Sequence, residues 1–305
     1  MMRARKELAR LPERFPFACQ WEITCRCNLR CVMCYTDCFN LPDKIRDELP
    51  TQDILRIMDE LADAGCVELC LTGGEPLSRS DFFDIYEHAK AKGFLITVFT
   101  NGTLVTEEIA DRFASLPPHR IEISLHGLTE RTFEEVTQGK GSHQRCMSAI
   151  RLLLDRKLPV LLKTTAMTVN KDEILSIKRY VDGLGSVGYK LGEEMRPTLD
   201  GSDAPGRFGL SQAELLELNR QDSALWDEAC AKDALEGTLT CQSGKRTFHI
   251  DAYGQIQLCS GNRRQGYDLR RGSFKEGFYD HLPTFPCPAK AEPHATLIQP
   301  SVSHA

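Results

Sequence analysis

Residues 17–34 read FACQWEIT, then Cys-Arg, then CNLRCVMC, and the fold is decided in this stretch. FACQWEIT (17–24) follows a proline and reads as a buried β-strand by its length and its apolar and β-branched content. CNLRCVMC (27–34) follows directly and places Cys27, Cys31 and Cys34 at Cys-x3-Cys-x2-Cys spacing. Short cysteine-spaced loops of this kind hold iron–sulfur clusters through their thiolates. Three protein thiolates on a four-iron cube leave one iron without a protein ligand, much as a catalytic zinc keeps one position open. Two other readings stand beside this one. Positions 27, 31 and 34 also match one face of a helix, where cysteine serves as a small core residue. Cys25 or Cys38 could instead close the set as a zinc or electron-transfer centre.

Five similar apolar runs follow: VELCLTG (67–73), FLITVFT (94–100), RIEISLH (120–126), VLLKTTAMTV (160–169) and VGYKLG (187–192). Amphipathic stretches separate them. In TQDILRIMDELADAG (51–65) Ile54, Ile57, Met58 and Leu61 recur at helical spacing, and SRSDFFDIYEHAKAKG (78–93) stops at a glycine. Six strands alternating with five helices predict a parallel sheet with right-handed crossovers, here a partial (β/α)6 TIM-like barrel. Chemistry in such folds gathers at the C-terminal ends of the strands. Past Gly192 the rhythm changes: a Gly-, Pro- and Asp-rich linker, a helix predicted from Ser211 to about Lys232, and a hairpin around TFHIDAYGQIQLC with Gly254 at its turn. The expected organisation is an N-terminal extension (1–16), a core (17–192), a linker and helix (193–238), a small α+β extension (239–288) and a frayed tail (289–305).

Composition narrows the function classes. A net charge of −5 argues against non-specific nucleic-acid binding, which needs excess Lys and Arg. The basic N-terminus lacks the apolar run of a signal peptide, and no stretch approaches the length of a membrane span. A cytoplasmic, membrane-free protein is expected. Thirteen cysteines in a reducing compartment then point to metal or redox chemistry rather than disulfides.

CNLRCVMCY resembles the Cys-x3-Cys-x2-Cys-aromatic signature of radical S-adenosylmethionine (SAM) enzymes, with Tyr35 as the aromatic residue. LTGGEPL (71–77), at the end of the second strand, is similar to the family's Gly-Gly-Glu-Pro segment that meets the SAM amino group. TNG (100–102) and SLHG (124–127) resemble its polar SAM-contacting strand ends. The resemblance covers about Phe17 to Cys259. It implies a [4Fe–4S] cluster on Cys27, Cys31 and Cys34, and SAM bound by Tyr35, Gly73, Gly74, Glu75, Pro76, Asn101 and Ser124. Lys163 and Thr165 share a strand face and can point toward SAM. One departure stands out: within TFEEVTQG (132–139), Thr137 occupies the place where many relatives carry an arginine that pairs with the SAM carboxylate. The carboxylate must then be held by another group.

Cys241, Gly254 and Cys259 form Cys-x12-Gly-x4-Cys, which resembles the opening half of the SPASM or twitch auxiliary-cluster domain. Only Cys287 follows, so the extension reads as a shortened form whose three cysteines hold a second iron–sulfur cluster or none. The resemblance implies reductive cleavage of SAM to a 5′-deoxyadenosyl radical that takes hydrogen from substrate. No side-chain base is needed. An external one-electron donor such as flavodoxin or ferredoxin is implied. The substrate expected is a ribosomally made peptide that is crosslinked or oxidised. A haem- or tetrapyrrole-pathway decarboxylase or oxidase acting on a small molecule is the alternative. An electron-transfer protein or a zinc-stabilised binding module is the non-enzyme alternative.

Overall fold

The computed structural model describes residues 12–235 and 241–287. The predicted tail, most of the N-terminal extension and Leu239 lie outside the described residues. Six parallel strands appear at the predicted places: β1 (Ala18–Thr24), β2 (Glu68–Gly73), β3 (Leu95–Thr100), β4 (Arg120–Ser124), β5 (Val160–Thr165) and β6 (Gly188–Gly192). Their spatial order is their chain order.

Strand alternation sorts the side chains to two faces. Trp21, Ile23, Leu71, Val98, Ile123 and Leu162 are all fully buried and join one core with the helix residues. Gln20, Thr72, Phe99, Ser124, Lys163 and Lys190 point the other way, into a cavity.

The crossover helices bury the faces expected of them. After the one-turn helix α1 (Pro42–Arg46), helix α2 (Thr51–Asp63) seals Ile54, Ile57, Met58 and Leu61 against the sheet. Each such side chain removed from water contributes about 1.5–3 kcal/mol. Helices α3 (Phe82–Ala91) and α4 (Glu107–Ser115) cover the second and third crossovers. The fourth crossover holds two helices, α5 (Glu130–Thr137) and α6 (Ser142–Asp155), where one was expected. Gln138 takes the left-handed conformation at φ 54°, which ends the first of them. Helix α7 (Ile174–Gly183) completes the crossovers.

The predicted helix beyond residue 211 is also two helices, α8 (Gln212–Arg220) and α9 (Ser223–Leu235). Asp222 breaks it, because its side chain accepts the Leu225 N–H (3.0 Å) and restarts the chain as a cap.

The hairpin forms around Gly254 (φ +84°) and is continuous with the main sheet. Strand β7 (Thr247–Ile250) pairs parallel to the free side of β1, then β8 (Gln255–Gln257) and β9 (Tyr267–Asp268) follow antiparallel. Strand β1 therefore lies inside a nine-stranded sheet, and among the described residues the parallel strands do not close on themselves.

A buried ion pair fastens this junction. Arg263, after β8, donates both guanidinium nitrogens to Glu22 on β1, one at 2.6 Å. Burial pushes the Glu22 carboxyl up, but His249 and Arg263 together hold it down at about 2. His249 Nε2 lies 3.8 Å away, beyond hydrogen-bond reach, so the guanidinium fork carries most of that effect. Removing one partner of a buried pair strands the other charge. Replacing Arg263 with Met is therefore expected to destabilise the protein by about 3–5 kcal/mol, read as a lower urea midpoint. Replacing Glu22 and Arg263 together with apolar residues is expected to recover much of that loss.

Candidate active site at the strand ends

The loop after β1 is held from two sides. Its backbone bonds to the end of α5, through Arg30 N–H to Thr137 O (3.1 Å) and Val32 N–H to Val136 O (2.9 Å). The Asn40 side chain brackets Cys27, accepting its N–H (3.3 Å) and donating to its carbonyl (3.0 Å).

The Gly73–Gly74 turn presses against the base of the same loop. Gly74 N–H donates to Thr24 O (2.9 Å) and Glu75 N–H to Arg26 O (2.7 Å). A Cβ on Gly73 would overlap the Thr24 carbonyl oxygen, and one on Gly74 the Arg26 carbonyl oxygen. Gly73 also sits at φ +145°, where other residues are strained. Glycine is required here by backbone meeting backbone.

Cys27, Cys31 and Cys34 all face one cavity of about 850 Å³, together with Tyr35, Gly73, Gly74, Asn101 and Ser124. Burial pushes the Cys27 thiol up to about 12 and raises Cys31 and Cys34 too, and the charges of neighbouring thiols add to the rise at Cys27 and Cys31. Such thiols stay protonated until a metal displaces the proton. Among the described residues no three His, Cys, Asp or Glu side chains converge closely enough to hold a single ion. Cys25 also lines this cavity, but its thiol donates to Tyr253 Oη (3.5 Å), and Cys38 contacts the Tyr35 carbonyl (3.8 Å). The donor set of three thiols beside a glycine-lined wall thus fits a [4Fe–4S] cluster with SAM.

Two residues expected to contact SAM, Glu75 and Pro76, follow the glycine turn. Glu75 and Pro76 are buried behind the turn and do not line the cavity. The Glu75 carboxylate accepts from Thr100 Oγ1 (2.8 Å), Leu77 N–H (3.1 Å) and Asn101 N–H (2.6 Å), so it joins the ends of β2 and β3. Burial lifts this carboxyl to about 7 against those three donors. Asn101 stays at the wall, its amide donating to Asn28 Oδ1 (3.0 Å) and lying 3.9 Å from Cys27 Sγ.

Thr137 also reaches the cavity wall, but its hydroxyl is engaged with Phe133 O (2.9 Å) and Ser142 Oγ (2.8 Å). Lys163 and Thr165 line the cavity, as their shared strand face requires. His126 was not singled out in the sequence beyond its place in SLHG. Its Nδ1 accepts the Thr165 N–H (3.3 Å), which leaves the neutral ring with its proton on Nε2. Burial first, then the Lys163 charge, push this imidazole down to about 4.

The C-terminal cysteines are only partly gathered. Cys259 and Cys287 are half-buried and Cys241 is exposed. Asn262, bonded by its N–H to Cys259 O (3.1 Å), donates its amide to Pro286 O (2.8 Å) and so ties the chain before Cys287 to this turn.

Fold and site define an α/β protein with a parallel sheet whose strand ends carry a three-cysteine loop beside a glycine turn. The sequence profile of the Radical SAM superfamily matches residues 21–181, and the chain belongs to that superfamily. Over 172 residues (56% of this chain, 48% of the relative) it is 32% identical to the AdoMet-dependent heme synthase of Methanosarcina barkeri. Over 247 residues (81% of this chain, 59% of the relative) it is 33% identical to the mycofactocin maturase MftC of Mycobacterium tuberculosis. The chain thus spans about half the length of such curated relatives. Its fold matches Streptococcus suis SuiB bound to S-adenosylmethionine, with a TM-score of 0.70, 15% identity, and coverage of 92% of this chain and 70% of SuiB. Among the described residues no helix is long and apolar enough to cross a membrane.

The role of Glu75 is checked by Glu75→Gln. The amide must turn an N–H toward one of three donors, and an unmet buried donor costs about 1–3 kcal/mol. A lower denaturation midpoint is expected, with Asn101 displaced.

Proposed function

We propose that this protein is a radical SAM enzyme in which Cys27, Cys31 and Cys34 hold a [4Fe–4S] cluster and the cavity beside them binds SAM. The observation that carries this reading is the meeting of those three thiols with the Gly73–Gly74 turn on one cavity wall. The group, when bound, supplies one-electron chemistry strong enough to take hydrogen from an unactivated carbon. The chain's own residues hold and shield it. Gly73 and Gly74 let the turn close against the root of the cysteine loop, which sets the cavity wall. Tyr35, Asn101 and Ser124 offer polar contacts around it. Glu75 and Pro76 shape the turn from behind. Flavodoxin or ferredoxin would supply the electron in the cytoplasm, with no nucleic acid or membrane involved.

The substrate we infer is a ribosomally made peptide, to be crosslinked or oxidised. Similarity to the heme synthase stops after 172 residues, whereas similarity to the mycofactocin maturase runs over 247 and into the extension. That reach favours a maturase-like substrate over a tetrapyrrole. In the extension, Cys241, Cys259 and Cys287 are proposed as ligands of a second iron–sulfur cluster, a reading supported by the tie between the Cys259 turn and Pro286.

The test uses anaerobically reconstituted protein with SAM and dithionite. The wild type is expected to form 5′-deoxyadenosine, and a variant with Cys27, Cys31 and Cys34 all changed to Ala is expected to form none. Iron retained by that variant would place a second cluster on the C-terminal cysteines. A wild type that neither binds nor cleaves SAM overturns the reading.

A further inference from the structure

Two lysines stand side by side on the cavity wall. Lys163 on β5 is the register partner of Lys190 on β6, and its other register partner is Ser124 on β4. All three residues line the cavity, so Ser124, Lys163 and Lys190 form one row across three strands. Like charges directly opposite each other on a sheet are destabilising. Lys163 is partly compensated by Glu122 (3.1 Å) and by the Phe99 ring (3.8 Å) beneath its ammonium. Lys190 has no ion pair or hydrogen bond among the described residues. Two acids that line the same cavity are engaged elsewhere: Glu193 accepts from Asn219 (3.2 Å) and Glu194 pairs with Arg196 (2.8 Å). The Ser124 hydroxyl is likewise without a partner among the described hydrogen bonds.

We propose that Ser124, Lys163 and Lys190 form a binding row for a carboxylate inside the cavity. The row offers one hydroxyl and two ammonium groups, the donors that a carboxylate accepts best. The residue at 137 strengthens the case. Thr137 and Ser142 saturate each other, so the α5 side of the cavity offers a carboxylate no cation. The row supplies that charge from the strand ends that line the same cavity. The carboxylate belongs either to SAM or to the substrate. The inference rests on the proposed radical SAM reading, and the experiment separates the two sources.

Binding is measured by calorimetry on the anaerobically reconstituted protein, with three probes: SAM, decarboxylated SAM, and glutarate added with and without SAM. Lys190→Met is the main variant, because Lys190 is exposed and has no hydrogen bond or ion pair among the described residues. Lys190→Arg restores the charge. Losing one charged hydrogen-bond donor is expected to weaken the affected ligand about tenfold to a hundredfold. If the wild type prefers SAM over decarboxylated SAM and Lys190→Met lowers that preference at least tenfold while Lys190→Arg restores it, the row holds the SAM carboxylate. If the preference is unchanged while glutarate binding falls in Lys190→Met and returns in Lys190→Arg, the row holds a substrate carboxylate. If Lys190→Met leaves both the SAM preference and the glutarate affinity as in the wild type, the row is overturned. A wild type that binds glutarate through Lys190 yet binds no SAM overturns the radical SAM reading and leaves the anion site standing.

Discussion

The contact on which the rest of this structure depends is the approach of two backbones at the end of the first strand. Gly73 and Gly74 lie against the carbonyls of Thr24 and Arg26 with no room for a Cβ on either. The contact joins the root of the cysteine loop to the end of β2, and the Glu75 carboxylate extends the join to β3. Three strand ends thus become one rigid rim. A cluster-binding loop needs such support, because thiolates tolerate little misplacement and the loop itself contains no regular structure beyond its anchors on Asn40 and α5.

The second constraint is the Glu22–Arg263 pair. It couples the strand that carries the cysteine loop to the hairpin that carries Cys259. Whatever the extension binds is therefore held in fixed relation to the primary site by the same sheet. The C-terminal residues act less as an appendage than as a continuation of β1 on its open side.

Much of this was legible in the residues. The six strand runs fall within a few positions of the strands because their apolar content, length and flanking glycines all agree. The cysteine loop, the glycine turn and the face shared by Lys163 and Thr165 follow from local spacing. What was not legible depends on partners distant in sequence. That the Glu75 carboxylate accepts from Thr100 and Asn101 is not visible in the sequence around it. The Lys163–Lys190 pairing depends on the register between strands 27 residues apart in number, and the His126 tautomer on an N–H from β5. The two extra helix breaks arise from one left-handed residue, Gln138, and one capping side chain, Asp222. Both are single-residue decisions that periodicity does not register.

The central claim is that three cysteines leave one iron open for SAM. Electron paramagnetic resonance of the dithionite-reduced, reconstituted protein tests it most directly, recorded with and without SAM. The account predicts a reduced [4Fe–4S] signal that changes shape when SAM is added and disappears in Cys31→Ala. A reduced cluster whose signal is indifferent to SAM, or a protein that takes up zinc and no iron, would contradict it.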